Sequence, residues 1–258
     1  MNVAQKHGEV ALFFTIVSEV VIIVSASCKR RDVLREKELA RLVELVEKGE
    51  RLSGSGLNQE TFLKRPSDTC WGTHYNTLLS LILMFPSILD MLEIVSREGA
   101  KEARGKAYVY LILMLTFDFV FTLFLVSTLL GVTNESSQAL QRKDQDIVNA
   151  MNLVKISKEQ LQTMRDGGWD SLMNDISAFC AKTNIVVTEM MSLYVPLGRG
   201  RRNLQEQTNL HHFQVGLFNN VIDMQTAALN DRFDEVNTEL LLCMSHLNRF
   251  IEAIFFSF

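Results

Sequence analysis

Residues 107–130, AYVYLILMLTFDFVFTLFLVSTLL, form a run of 24 residues with a single charge, Asp118. A run of this length and composition is sufficient to cross the hydrocarbon core of a bilayer as a helix. The alternative is a helix buried on all sides within a large α-helical domain, where an aspartate in mid-segment is more easily hydrogen-bonded than in lipid. The run therefore predicts either a membrane span or a core helix.

Residues 10–27 form a second apolar segment, which is interrupted by Glu19. It is a possible second span in the membrane interpretation. The small residues at 24–26 resemble the cleavage site of a secretory signal, but Glu9 and Glu19 are atypical of one.

Few residues in the chain break helices. It has 3 prolines and 13 glycines in 258 residues, and its long uninterrupted stretches are rich in Leu, Met, Ala, Gln, Glu and Lys. Hydrophobic residues make up 47% of the chain and charged residues 22%, which is the composition of a folded protein. We therefore predict an all-α fold, a bundle of long helices.

Local signals place several helix boundaries. Apolar residues at helical spacing after Cys28 predict a surface helix, and Pro86 predicts a kink or break because it lacks an amide hydrogen. Gly99 and the pair at 167–168 predict helix ends. The last segment has apolar residues spaced three and four apart, typical of the seam of a long packed or coiled helix: Phe233, Val236, Leu240, Cys243, Leu247, Phe250 and Ile254.

The sequence shows no catalytic or metal-binding motif. The four cysteines are scattered singly with no CxxC pair, which suits a reducing compartment, cytosol or nucleus, and disfavours structural zinc and disulfides. His211 and His212 are adjacent, so in a helix they point about 100° apart and do not share one metal. Asp223, Asp231 and Asp234 fit a solvated helix face. We expect no enzyme activity, no metal site and no cofactor.

The net charge of −4 leaves only local clusters for contact with nucleic acid. Two basic clusters have guanidinium groups that suit phosphate, and their alternative use is to keep the surface soluble or to lie at helix ends. They are Lys29, Arg30 and Arg31, and Arg199, Arg201 and Arg202. Trp71 precedes an apolar run, where an indole either anchors a core or stacks on a base.

Several stretches together resemble the hAT superfamily of plant transposase-like proteins, described as MYM-type or TTF-type zinc-finger proteins. They are ASCKRRDVLREKELARLVELVEKGE, GSGLNQETFLKRPSDT, CWGTHYNTLLSLI, LQTMRDGGWDSLMNDISAFCAKTNI, YVPLGRGRRN and the run from 208 to 248 that begins TNLHHFQVGLFNN. The resemblance covers nearly the whole chain.

The resemblance implies a ribonuclease-H-like core with three metal-binding acids, split by an all-α insertion domain. Residues 1–68 correspond to the edge of that core and 69–258 to the insertion domain. None of the three acids has a counterpart here. The resemblance therefore implies a noncatalytic, transposase-derived nuclear fragment with residual DNA or protein binding, whose partners are DNA, a second copy or a full-length transposase.

Within the resemblance, Trp71 matches a tryptophan that handles the DNA end, where a flipped base can stack. Cys70 stands where the family usually has arginine. The membrane interpretation, with a span at 107–130 and a second at 10–27, remains the alternative, and it places the protein in a membrane instead of the nucleus.

Overall fold

The protein is described here by a computed structural model that covers residues 7–47, 71–141, 147–196 and 207–234 and the positions 239 and 243. These residues are helical apart from turns, short connections and one isolated β-bridge, so the all-α prediction is confirmed. The α-helices are α1 (Gly8–Ser25), α2 (Cys28–Glu47), α3 (Trp71–Leu83), α4 (Phe85–Glu98), α5 (Lys101–Met114), α6 (Phe117–Gln141), α7 (Ile147–Gly167), α8 (Trp169–Thr183) and α9 (Asn220–Arg232). A π-helical segment, His211–Asn219, leads directly into α9.

The chain forms two compact units. The first unit comprises Glu9–Leu123 and Phe179–Val186, and the second comprises Met1–Gly8, Phe124–Ala178 and Val187–Phe258. The predicted domain boundary at residue 68 lies outside the described residues and stays a prediction. Helices α2 and α3, on either side of that position, belong to the same unit.

The apolar run 107–130 is divided between two helices, so a single continuous helix across it is wrong. Thr116 separates them: its hydroxyl donates to the carbonyl of Leu113 at 2.7 Å and accepts the amide of Phe119 at 3.2 Å. A threonine in this position caps the start of a helix. Asp118 consequently lies in the first turn of α6, where the helix dipole favours a carboxylate, and not in the middle of a span.

Among the described helices, two are nevertheless long and apolar enough to cross a membrane, judged by length and composition alone: Gly8–Ser25 and Phe117–Asn134. The pair His74–Leu83 and Phe85–Glu98 would add a third if it formed one broken span, although the pair is bent by 82°. Within the protein, 44% of the first helix and 61% of the second is buried. Both helices therefore also serve as core helices.

The bend between α3 and α4 confirms the kink predicted at Pro86. Proline has no amide to continue the hydrogen-bond ladder, and α4 begins with this residue in its first turn. Gly99 ends α4 as predicted, since its amide donates to the carbonyl of Val95 at 2.9 Å. A Cβ at residue 99 would lie 2.5 Å from that oxygen, so the close approach of two backbones requires glycine.

Gly168 ends α7 in the same way. Its amide donates to the carbonyl of Met164 at 2.8 Å, and a Cβ at residue 168 would lie 2.6 Å from that oxygen. The predicted helix end at 167–168 is confirmed.

A buried ionic cluster links α2 to the bend. Glu38 is 9% exposed, and both of its carboxylate oxygens accept hydrogen bonds from Arg41, at 2.7 and 3.2 Å. The hydroxyl of Ser87 on α4 donates to the same carboxylate at 2.7 Å. Arg41 also donates to the carbonyl of Leu83, the last residue of α3, at 2.8 Å. This cluster satisfies a carbonyl at the end of a helix.

Aromatic rings form the centre of the first unit. Phe85 lies 5.0 Å from Phe179 and 6.4 Å from Phe119, measured between ring centroids. Phe119 in turn lies 5.3 Å from Phe13. The apolar faces of α1, α4, α6 and α8 therefore contribute to one aromatic core.

Polar contacts join the helices of the second unit. The hydroxyl of Ser157 on α7 donates to the carbonyl of Val132 on α6 at 3.1 Å. Arg165 on α7 pairs with Asp223 on α9 at 2.8 Å. Lys158 donates to the carbonyl of Phe233 at 2.7 Å, just after α9 ends. Asp223 therefore has a structural partner.

Helix α9 ends at Arg232, at the start of the seam predicted for the last segment. The ring of Phe233 packs against the buried side chains of Ala150, Met151 and Val154. Except for Cys243, which is exposed, the remaining seam residues lie outside the described residues. The seam beyond Phe233 stays a prediction.

Candidate nucleic-acid interface

Backbone hydrogen bonds join the two chain segments that flank residues 197–206. The amide of Tyr194 donates to the carbonyl of Gln207 at 2.9 Å, and the amide of Asn209 donates to the carbonyl of Ser192 at 2.8 Å. Leu193 and Thr208 thus form an antiparallel bridge. The sequence between the two paired segments contains Arg199, Arg201 and Arg202. These three arginines lie outside the described residues.

Asn209 holds this bridge in place. Its side chain is buried, and its amide nitrogen donates to the carbonyl of Glu189 and to the hydroxyl of Ser192, each at 2.8 Å. A third backbone hydrogen bond, from the amide of Leu210 to the carbonyl of Met190 at 2.8 Å, pairs the same two segments one step further along. The buried amide group is therefore used to fix the turn before the bridge.

The bridge is anchored to the π-helical segment by an aromatic stack. The ring of Tyr194 lies over the ring of His212 with 3.5 Å between centroids and 9° between planes. Phe213 meets the Tyr194 ring edge-on at 6.0 Å. His212 and Phe213 are both buried, so the bridge packs against buried aromatic rings of the π-helical segment.

The environment of His212 favours its neutral form. Burial, together with smaller electrostatic contributions from the nearby imidazoles of His7 and His211, lowers the pKa of His212 to about 4. His7 donates from Nε2 to the carbonyl of Gly216 at 3.2 Å, which ties the start of the described chain to the same segment. The imidazole ring of His212 therefore packs as an uncharged aromatic.

The π-helical geometry of His211–Asn219 brings His212 and Phe213 to the bridge. Such helices are rare and are usually single turns, so a segment of nine residues is unusual. The neighbouring histidines have different environments, since His211 is exposed and His212 is buried.

The prediction that these two histidines do not share a metal ion stays a prediction. Within the described ranges, no group of three or more His, Cys, Asp or Glu side chains is arranged to hold a metal ion.

The first basic cluster lies in the other unit, at the start of α2. The guanidinium of Arg30 donates to the carbonyl of Ile23 at 2.8 Å and so caps the end of α1. Its amide donates to the hydroxyl of Ser27 at 3.2 Å. Arg31 donates to the sulfur of Cys28 at 3.1 Å. Arg30 therefore acts at a helix end, which is the alternative to phosphate binding for this cluster, while Lys29 and Arg31 are exposed.

No family model and no solved structure matches this chain. The resemblance to hAT transposases accordingly stays a prediction.

Trp71 is the first residue of α3, as expected for a tryptophan at the start of a helix. Its side chain lies outside the described ones, so neither packing nor base stacking is assigned to it.

Proposed function

We propose that this protein is a noncatalytic, nuclear helical protein derived from a hAT-type transposase, and that it binds DNA through Arg199, Arg201 and Arg202. The observation that supports this most directly is the backbone pairing at the base of the segment carrying these arginines. The bond from Tyr194 to Gln207 holds the two ends of the segment together.

The hydrogen bonds between the segments flanking residues 197–206 favour DNA binding for an entropic reason. The loop ends are already joined, so the conformational entropy lost when three guanidinium groups meet a phosphate backbone is smaller than for an open tail. Gly198 and Gly200 stand beside the arginines, and glycine lets backbone amides approach an anion closely. The overall charge of −4 means that this loop would attract DNA only locally.

The first basic cluster contributes less in this proposal. The guanidinium of Arg30 donates to the carbonyl of Ile23, so within this cluster Lys29 and Arg31 are the exposed residues that could contact phosphate. In this proposal, Trp71 is the residue that stacks on a base at the ancestral DNA-end site.

The test is binding to a fluorescent 20-base-pair DNA duplex, measured by anisotropy over a range of salt concentrations. We expect the logarithm of the association constant to fall linearly with the logarithm of the salt concentration. Arg201→Ala with Arg202→Ala should reduce the slope by about two and weaken binding uniformly across sequences.

The matched control is Lys155→Ala with Lys182→Ala, which removes the same charge from exposed positions on α7 and α8. It should leave the salt slope within a few tenths of the wild-type value. Binding that is insensitive to salt, or equally reduced by both double variants, would contradict a loop-specific DNA site.

A second candidate function is favoured by one observation, the presence of two helices long enough to span a bilayer. In this alternative the protein is an integral membrane protein, with spans at Gly8–Ser25 and Phe117–Asn134. Washing cell membranes with alkaline carbonate tests it, because an integral protein stays in the pellet. The transposase-derived proposal expects the protein in the supernatant after this wash.

A further inference from the structure

Helix α5 exposes an apolar stripe in its second half. Tyr108 is 58% exposed, Val109 52%, Ile112 44% and Leu115, directly after the helix, 43%. Large apolar side chains grouped at this exposure on one helix mark an interaction surface more often than single exposed ones do.

The opposite side of α5 is already occupied. Ala107 and Met114 are fully buried, and α5 packs against α4 as a helical hairpin whose connection is the pair Gly99–Ala100. The hairpin holds α5 in position, so the exposed stripe does not result from a loose helix.

The stripe has a definite order along the helix. Lys101, Arg104, Tyr108, Ile112 and Leu115 follow one another at spacings of three, four, four and three, which places them on one face. Both basic residues are exposed. Along about 20 Å of helix, at 1.5 Å per residue, this face therefore presents two cationic side chains, then a tyrosine with its polar hydroxyl, then two aliphatic side chains.

This order matches the layers of one leaflet of a bilayer. Basic side chains are attracted to anionic headgroups, tyrosine prefers the interface, and aliphatic side chains prefer the acyl region. A protein partner would need an acidic patch and an apolar patch in the same order. With 14 residues, α5 is too short to span the hydrocarbon core by itself.

We propose that α5 is a membrane-surface element that binds an anionic phospholipid bilayer, with Lys101 and Arg104 at the headgroups and Ile112 and Leu115 inserted among the acyl chains. This inference does not depend on DNA binding. Lys106 is not part of this face, since five residues at about 100° each place it far around the helix from Lys101, and its ammonium group lies 3.8 Å from the carboxylate of Glu19.

The experiment is co-sedimentation of the full chain with vesicles of phosphatidylcholine and phosphatidylserine at a ratio of seven to three, compared with vesicles of phosphatidylcholine alone. We expect binding to the anionic vesicles to be at least tenfold tighter. Lys101→Glu with Arg104→Glu should remove this preference, and Ile112→Ser with Leu115→Ser should weaken binding at least tenfold. All four substitutions are at exposed positions, so the fold should be retained.

The matched control is Val186→Ser with Met191→Ser, which removes two apolar side chains that are 84% and 73% exposed elsewhere. It should bind vesicles like the wild type. Equal binding to both vesicle types, or loss of binding in the control, would overturn the proposal. So would a dimer in vesicle-free solution that Ile112→Ser with Leu115→Ser disrupts, because the stripe would then bind a second copy. Bound protein should be released by alkaline carbonate, and retention would instead indicate the spanning helices.

Discussion

Replacing Glu38 with alanine is expected to lower the free energy of unfolding by about 2 kcal/mol, because it removes a buried carboxylate that pairs with a partly buried arginine and accepts a hydrogen bond from a buried serine. Arg41 would lose the carboxylate that it contacts at 2.7 Å, and the hydroxyl of Ser87 would lose its acceptor. The side chains of Glu38 and Arg41 are 12% and 29% exposed, so solvent replaces these contacts only in part. Urea-induced unfolding followed by circular dichroism measures the change.

The control for this substitution is Glu93→Ala. Glu93 also forms an ion pair with an arginine on its own helix, Arg97, but the two side chains are 49% and 73% exposed. An exposed pair of this kind contributes less than about 0.5 kcal/mol. If the two alanine variants lose the same stability, the buried cluster does not stabilise the bend between α3 and α4.

The free energy of unfolding should fall as the pH is lowered below about 6.5, because His212 binds a proton more readily in the unfolded chain than in the folded protein. The pKa of His212 is about 4 in the folded protein, whereas an unfolded histidine has its ordinary value of about 6.5. The unfolded chain therefore binds more protons between these values, so the free energy of unfolding rises with pH across this window. Between pH 7.5 and 4.5 the expected loss is about 2.5 kcal/mol.

Comparison with His212→Phe isolates this contribution from other titrating groups. Phenylalanine keeps an aromatic ring against Tyr194 but does not titrate, so the difference in unfolding free energy between the two proteins should shift by about 2.5 kcal/mol in favour of the variant at pH 4.5. His211→Ala, at an exposed neighbour, should keep most of the pH dependence. A difference between wild type and His212→Phe that is constant with pH would show that burial does not disfavour the charged imidazole.

Sequence patterns predicted the features that depend on local chemistry. The all-α class follows from scarce breakers, the bend from Pro86, and two helix ends from Gly99 and Gly168, whose backbones approach a carbonyl too closely for a Cβ. Each signal is carried by one residue and its nearest neighbours in the chain.

The break at Thr116 was missed because the hydropathy of residues 107–130 hides it. A signal was present, since threonine followed two residues later by Asp118 is a common start of a helix. For the cluster of Arg30, the sequence left phosphate binding and a position at a helix end as alternatives. The carbonyl partners of Arg30 and Arg41 could not be predicted, because they are defined by how the helices pack.

The stack of Tyr194 on His212 and the bridge below the basic loop depend on contacts between separate segments. Nothing in the sequence marks His212 as the buried member of two adjacent histidines, because the choice depends on the π-helical turn. Asn209, which fixes the bridge, is likewise an ordinary polar residue until its amide is buried.

The hydrogen bond between His7 and Gly216 has a consequence for biosynthesis. These residues are separated by 209 positions, and both belong to the second unit. At a ribosomal speed of roughly 5–20 residues per second, His7 must wait about 10–40 seconds before its partner has been synthesised. The hairpin of α4 and α5, with a connection of two residues, can close as soon as it leaves the ribosome. This hairpin should therefore form before the second unit, which can be completed only after Gly216 has been synthesised.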